Sequence, residues 1–198
     1  MSKLFIAIEG PNGVGKSTIA TLLADRLSET SPYRVHLTSE PTRTPLGQLL
    51  RHSEAVMHGR ALALALAADR AAHLETDIVP ALNDGRHVVT DRYVQSSLVL
   101  QRIDGLDLRE IWSYNRYVLP AISFYLEDHP DVIAARLAQR PERTRLETTG
   151  SPDTELRLYR EAARHLRRHG WTQHTVDCHG RTPDKVVATI LDLLPRAD

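Results

Sequence analysis

Residues Gly10-Pro11-Asn12-Gly13-Val14-Gly15-Lys16-Ser17 match the pattern G-x-x-x-x-G-K-[ST]. This spacing demands a strand before it and a helix after it. Glycines allow positive φ, so consecutive N–H groups can turn inward around phosphate oxygens. The helix that follows adds the partial positive charge of its N-terminus. Lys16 can reach β- and γ-phosphates, and Ser17 can place its hydroxyl on Mg²⁺. The donor-nucleotide site is expected to comprise Gly10, Asn12, Gly13, Val14, Gly15, Lys16, Ser17 and Thr18.

The flanking text supplies that context. Leu4 to Ile8 is an apolar run of the kind buried on both faces of a parallel sheet. Ser17 to Leu27 carries apolar residues at helical spacing. Val35–Thr38, His87–Asp91, Ile122–Leu126 and Thr175–Asp177 read as four further strands. Between them, helices are expected over 45–82 with a break near His58-Gly59, from about Ser96, and over 108–118, 131–140, 154–169 and 184–194. Pro141 to Pro152 reads as a mobile loop. Strands alternating with helices predict an α/β architecture. The expected fold is the three-layer P-loop NTPase fold, with a five-stranded parallel sheet flanked by helices, in one domain over 1–198. Asp91 ends the third strand, where such folds commonly place a Mg²⁺-holding carboxylate beside Ser17.

Composition limits the partners. Lys+Arg and Asp+Glu both number 25, so no global basic field draws the chain to nucleic acid or an anionic membrane. The single cysteine, Cys178, allows no internal disulfide and fits a reducing, cytoplasmic setting. No apolar run approaches a membrane span.

Further segments narrow the class. They are Ile8-Glu9-Gly10, Glu40-Pro41, Leu66-Ala67-Ala68-Asp69-Arg70, Asp91-Arg92-Tyr93 with Ser96-Ser97, Tyr125-Leu126-Glu127 and the arginine-bearing stretch Arg140 to Glu147. In this order and spacing the chain resembles the thymidylate kinase family nearly end to end. The resemblance implies a Mg²⁺-dependent nucleoside monophosphate kinase that moves the γ-phosphate of ATP to dTMP. It also implies a homodimer and a lid over about 140–152. Arg70 and Arg92 would hold the acceptor phosphate and base, and Arg43 would clamp that phosphate. Ser96 and Ser97 would line the same site. Arg143 and Arg145 would be lid arginines acting with Lys16 and Arg92 in catalysis. Several cations suit the task, because the acceptor brings a second set of negative charges beside a triphosphate.

Three positions depart from the family pattern. Asn12 stands where the loop usually carries an acid, Leu66 where a ring usually stacks on thymine, and Leu100 where an aromatic usually crowds the sugar 2′ position. These changes touch base and sugar and leave the phosphate machinery whole. The alternative is therefore a same-fold kinase retuned to another pyrimidine nucleoside monophosphate, a modified one included. From another class, the alternative is a nucleotide-binding regulatory module, which would need no second phosphate pocket.

Overall fold

The computed structural model describes residues 3–53, 56–141 and 145–195. Five strands, β1 (Phe5–Glu9), β2 (Val35–Ser39), β3 (His87–Asp91), β4 (Ile122–Glu127) and β5 (Gln173–Asp177), form one sheet. Its order is β2-β3-β1-β4-β5, and every pairing is parallel. The expected five-stranded parallel sheet is thus present. The helices are α1 (Lys16–Thr30), α2 (Pro45–Ser53), α3 (Gly59–His73), α4 (Val79–Asn83), α5 (Val94–Ile103) and α6 (Leu108–Ser113). They continue with α7 (Pro130–Ala138), α8 (Arg145–Thr149), α9 (Pro152–Arg168) and α10 (Pro183–Leu193). No helix among the described residues is long and apolar enough to cross a membrane.

Side chains of a strand alternate between faces, and this divides the core in two. Ile6 and Ile8 pack with Ile19 and Leu23 of α1, Ile133 of α7 and Ile190 of α10. Phe5 and Ala7 pack with Leu98 and Val99 of α5 and with Leu158, Tyr159 and Ala162 of α9. Helices therefore cover both faces, and β1 lies at the centre. The chain leaves β1 toward β2 on one side and later fills β4 and β5 on the other. The loop after β1 accordingly opens at the point where strand order reverses, the usual crevice for ligands in such sheets.

Three segments differ from the sequence expectation. The helix expected over 108–118 stops at Ser113. The Asn115 side chain donates to the Ile111 carbonyl at 2.8 Å, taking the acceptor that the next helical N–H would need. The stretch 45–82 is broken a second time by a π-helical turn at Leu74–Ile78. Pro80 follows it and has no N–H to continue the i→i−4 ladder, and the wider turn absorbs the mismatch. Within the expected loop 141–152 lies the short helix α8, whose Thr148 and Thr149 hydroxyls both donate to the Arg145 carbonyl, at 2.7 and 2.9 Å.

Candidate active site

The site gathers at the C-terminal ends of β1, β2 and β3 in one cleft of about 830 Å³. Its floor is the loop between β1 and α1. Gly15 caps α1 at φ 106, and a Cβ there would meet nothing within 4 Å, leaving space over the helix N-terminus for an anion. Gly10 is fixed by contact instead: a Cβ would lie 2.6 Å from the Leu126 carbonyl oxygen. Asn12, Gly13, Gly15, Lys16, Ser17 and Thr18 line the cleft. Gly10 and Val14 stand behind it, and Val14 is buried.

Lys16 is buried and donates to the Pro11 carbonyl at 2.7 Å. Burial lowers its ammonium to about 7, with Arg92 adding to the shift and Asp91, Glu155 and Glu9 opposing it. Ser17 Oγ donates to Asp91 Oδ2 at 2.5 Å. Asp91 Oδ1 is buried, and among the described residues nothing hydrogen-bonds it. A hydroxyl and a carboxylate with a spare buried oxygen form a hard oxygen set that fits Mg²⁺.

The arginines Arg43, Arg70 and Arg92 line the same cleft. Arg70 is almost fully buried on α3, and each of its nitrogens donates a hydrogen bond. It donates through Nε to Glu40 at 2.8 Å, through Nη1 to Asn115 at 2.6 Å and through Nη2 to Ser97 at 2.9 Å. Glu40 is itself shared with His73, at 3.2 Å. Arg92 has φ 75, the one positive φ of a non-glycine among the described residues. Such a conformation costs an L-residue of order 1–3 kcal/mol and persists where surroundings over-determine it. Here Arg92 N donates to the Ile8 carbonyl, and its guanidinium reaches Ser96 at 3.0 Å and Asn12 at 2.5 Å. The strain aims the side chain back over the loop.

Glu9, at the end of β1, has no exposed surface. It accepts from Tyr93 N at 2.6 Å and from Ser96 Oγ at 2.7 Å. Burial raises its carboxyl to about 7, against the opposing pull of Ser96, Arg92, the Tyr93 N–H and Lys16. A folded pKa above the ordinary value of 4.5 gives a stabilisation that is full below that pH and lost as pH rises through about 7. Glu9→Gln mimics the protonated form. Its stability relative to the parent should therefore climb between pH 5 and pH 8, by up to about 3 kcal/mol. Denaturant melts at the two pH values check this; a gain that is equal at both refutes it.

The remaining residues expected from the sequence fall as follows. Arg43, Leu66, Ser96, Ser97 and Leu100 all line the cleft, on the side of Arg70 and Arg92. Arg145 is held elsewhere, by Asp104 at 2.6 Å, and is not among the lining residues. Arg143 lies outside the described residues. Cys178 is buried, and burial pushes its thiol up to about 12, with Asp128 and Asp177 adding to the shift; a nucleophile needs the opposite.

Other lining or supporting residues were given no role in the sequence reading. Gln101 lines the cleft one helical turn after Ser97, and its buried Oε1 has no partner among the described residues. The i, i+4 spacing from Ser97 could have found it. Arg51 lines the cleft from α2 and donates to Ser39 and to the Pro41 carbonyl. Arg140 lines it from the segment that follows α7. Glu155 of α9 is 2% exposed and accepts from Asn12 N at 2.9 Å; nothing in the sequence links positions 143 residues apart.

Comparison with known proteins agrees with this geometry. The thymidylate kinase family model matches residues 8–184. A probable thymidylate kinase of Thermococcus kodakarensis is 44% identical over 136 residues, 63% of this chain and 66% of that protein. The match thus spans just under two thirds of that relative's length. A probable thymidylate kinase of Pyrobaculum aerophilum is 32% identical over 199 residues, 97% of this chain and 96% of that one. The solved thymidylate kinase of Candida albicans superposes with a TM-score of 0.77 at 24% identity, over 97% of this chain and 91% of that chain. That likeness bears on the fold alone. By its loop, by the arginines that share its cleft and by the match over residues 8–184, this chain belongs to the thymidylate kinase family.

Proposed function

We propose that the protein transfers the γ-phosphate of ATP to dTMP, giving dTDP and ADP. One observation carries the reading: two groups of cations line one cleft. Lys16 with the loop N–H groups forms the first, and Arg70 with Arg92 and Arg43 forms the second. A switch that only hydrolyses a triphosphate has no use for the second group. In-line transfer between two bound phosphates needs position and charge far more than a base.

The residues divide the work. The loop and Lys16 hold the β- and γ-phosphates. Arg92, Arg70 and Arg43 hold the acceptor phosphate, with Ser96 and Ser97 fixing the arginines. Ser17 and Asp91 would hold Mg²⁺, which, when bound, neutralises charge building on the phosphates. Arg140 stands at the lid's root, and Arg143 and Arg145 are proposed as the lid cations. The Arg145–Asp104 pair has to open before Arg145 can reach a phosphate. Leu66 and Leu100 give the base and sugar apolar walls, and Gln101 brings a carboxamide oxygen to the same wall. A second copy is proposed as partner through the α3 face that exposes Leu64, in the reducing cytoplasm that a lone buried cysteine suits.

Initial rates with ATP and Mg²⁺ across dTMP, dUMP, dCMP, UMP and CMP test the assignment. dTMP is expected to lead, with dUMP about tenfold lower in kcat/KM for its missing methyl group. Preference for a cytosine nucleotide or a ribonucleotide overturns it.

A further inference from the structure

The phosphate loop carries no carboxylate of its own, yet a carboxylate is pressed against it. Glu155 sits on the first turn of α9 and is 2% exposed. Its Oε2 accepts the Asn12 backbone N–H at 2.9 Å, and the Asn12 side chain lies beside the same carboxyl. On its other side Asn12 Oδ1 accepts from Arg92 Nη2 at 2.5 Å. The guanidinium therefore fixes the carboxamide oxygen toward itself, which leaves the NH₂ on the side of the carboxyl. Asn12 works as a relay between a buried carboxyl, which burial pushes up and the Asn12 N–H, Lys16 and Arg92 pull down, and a buried cation.

The same helix reaches the other arm of Arg92. Arg92 Nη1 donates to Ser96 Oγ at 3.0 Å, and Ser96 Oγ lies 3.0 Å from the Tyr159 hydroxyl. Tyr159 follows Glu155 by four residues, so both side chains leave one face of α9. Thus α9 braces Arg92 twice, through Asn12 and through Ser96. The brace matters because Arg92 holds a left-handed backbone that its surroundings must maintain.

We propose that Glu155 is a positioning residue for Arg92: acting through Asn12, it supplies from α9 the negative charge that the phosphate loop lacks, and so sets the orientation of the acceptor arginine. The proposal rests on the reading of Arg92 as an acceptor-phosphate ligand.

The chemistry predicts a swap. In Glu155→Gln the new NH₂ faces the Asn12 N–H donors, one bond is lost, and Arg92 loses its remote counter-charge. In Asn12→Asp two carboxyl groups lie side by side in a buried site. The double variant combines Asn12→Asp with Glu155→Gln. There the carboxylate sits on the loop, directly against Arg92, and the carboxamide sits on α9. That carboxamide can accept the loop backbone N–H through its oxygen and donate to the new carboxylate through its NH₂. Each single substitution should raise the KM for dTMP about tenfold while the KM for ATP moves less than about threefold. The double variant should return to within about threefold of the parent. Guanidinium NMR signals of Arg92, identified by their absence in Arg92→Lys, should broaden in each single variant and sharpen in the double.

A double variant whose KM defect equals the product of the two singles overturns the proposal, as does loss of ATP affinity in parallel with dTMP affinity. Thermal melts of all three variants separate misfolding from misplacement, and rescue of the KM for dTMP in the double is decisive in either case. If the parent phosphorylates none of the monophosphates, the functional reading fails. The Arg92 signals then still decide the brace: unchanged signals in Glu155→Gln refute it.

Discussion

A Lys16→Ala variant is expected to lose at least about a thousandfold in kcat/KM, roughly 4 kcal/mol of transition-state stabilisation. The ammonium is buried at the loop and its bond to the Pro11 carbonyl holds it in place. Its charge is already strained by burial and by Arg92. Phosphate oxygens would relieve that strain, and the transferring group would relieve it most as charge spreads over its oxygens. Alanine removes the cation that the phosphate loop contributes to the donor side of the cleft. Stopped assays with ATP and dTMP measure the loss, and turnover within tenfold of the parent refutes the role. Because Lys16 is destabilised where it stands, the variant should fold at least as well as the parent, so a melt distinguishes lost chemistry from lost structure.

Arg92→Ala should produce the second-largest effect, with a different signature. Truncating a buried charge-assisted contact costs about 2–5 kcal/mol, which is a loss of about thirtyfold or more in kcat/KM for dTMP. ATP affinity should change little, because the loop N–H groups and Lys16 remain. Equal loss of ATP affinity in the Arg92 and Lys16 variants contradicts the division between donor and acceptor sides. Arg92→Lys should rescue little, since an ammonium cannot bridge Ser96 and Asn12 as the guanidinium fork does.

The sequence made the donor side readable because its logic is local. Eight consecutive residues define the loop, and an apolar strand and an amphipathic helix flank it. The central strand β1 was visible for a similar reason: a strand buried on both faces of a parallel sheet reads as an almost unbroken apolar run, here Phe5 to Ile8. Arg70, Arg92, Ser96, Ser97 and Leu66 were placed in the cleft through motifs that sit on single elements. What stayed hidden depends on contacts between distant segments. Glu155 reads as one more acid on a polar helix until α9 folds against the loop. The end of α6 depends on Asn115 turning back to Ile111 while serving Arg70. The helix inside the lid depends on threonine hydroxyls that the composition marks only as loop-like. Arg145 has the residue type expected of a lid cation, but its pairing with Asp104 is a three-dimensional fact.

The donor grip is mounted on strand ends, with Gly10 wedged against the Leu126 carbonyl, whereas Leu66, Leu100 and Gln101 ride on α3 and α5. A change at Leu66, Leu100 or Gln101 alters the wall that reads base and sugar without disturbing a sheet register. Evolution can therefore experiment with acceptor choice at low cost to the chemistry. A drift at Asn12 is different in kind: it lies within the grip itself, and so is survivable only with a compensating change elsewhere in the chain.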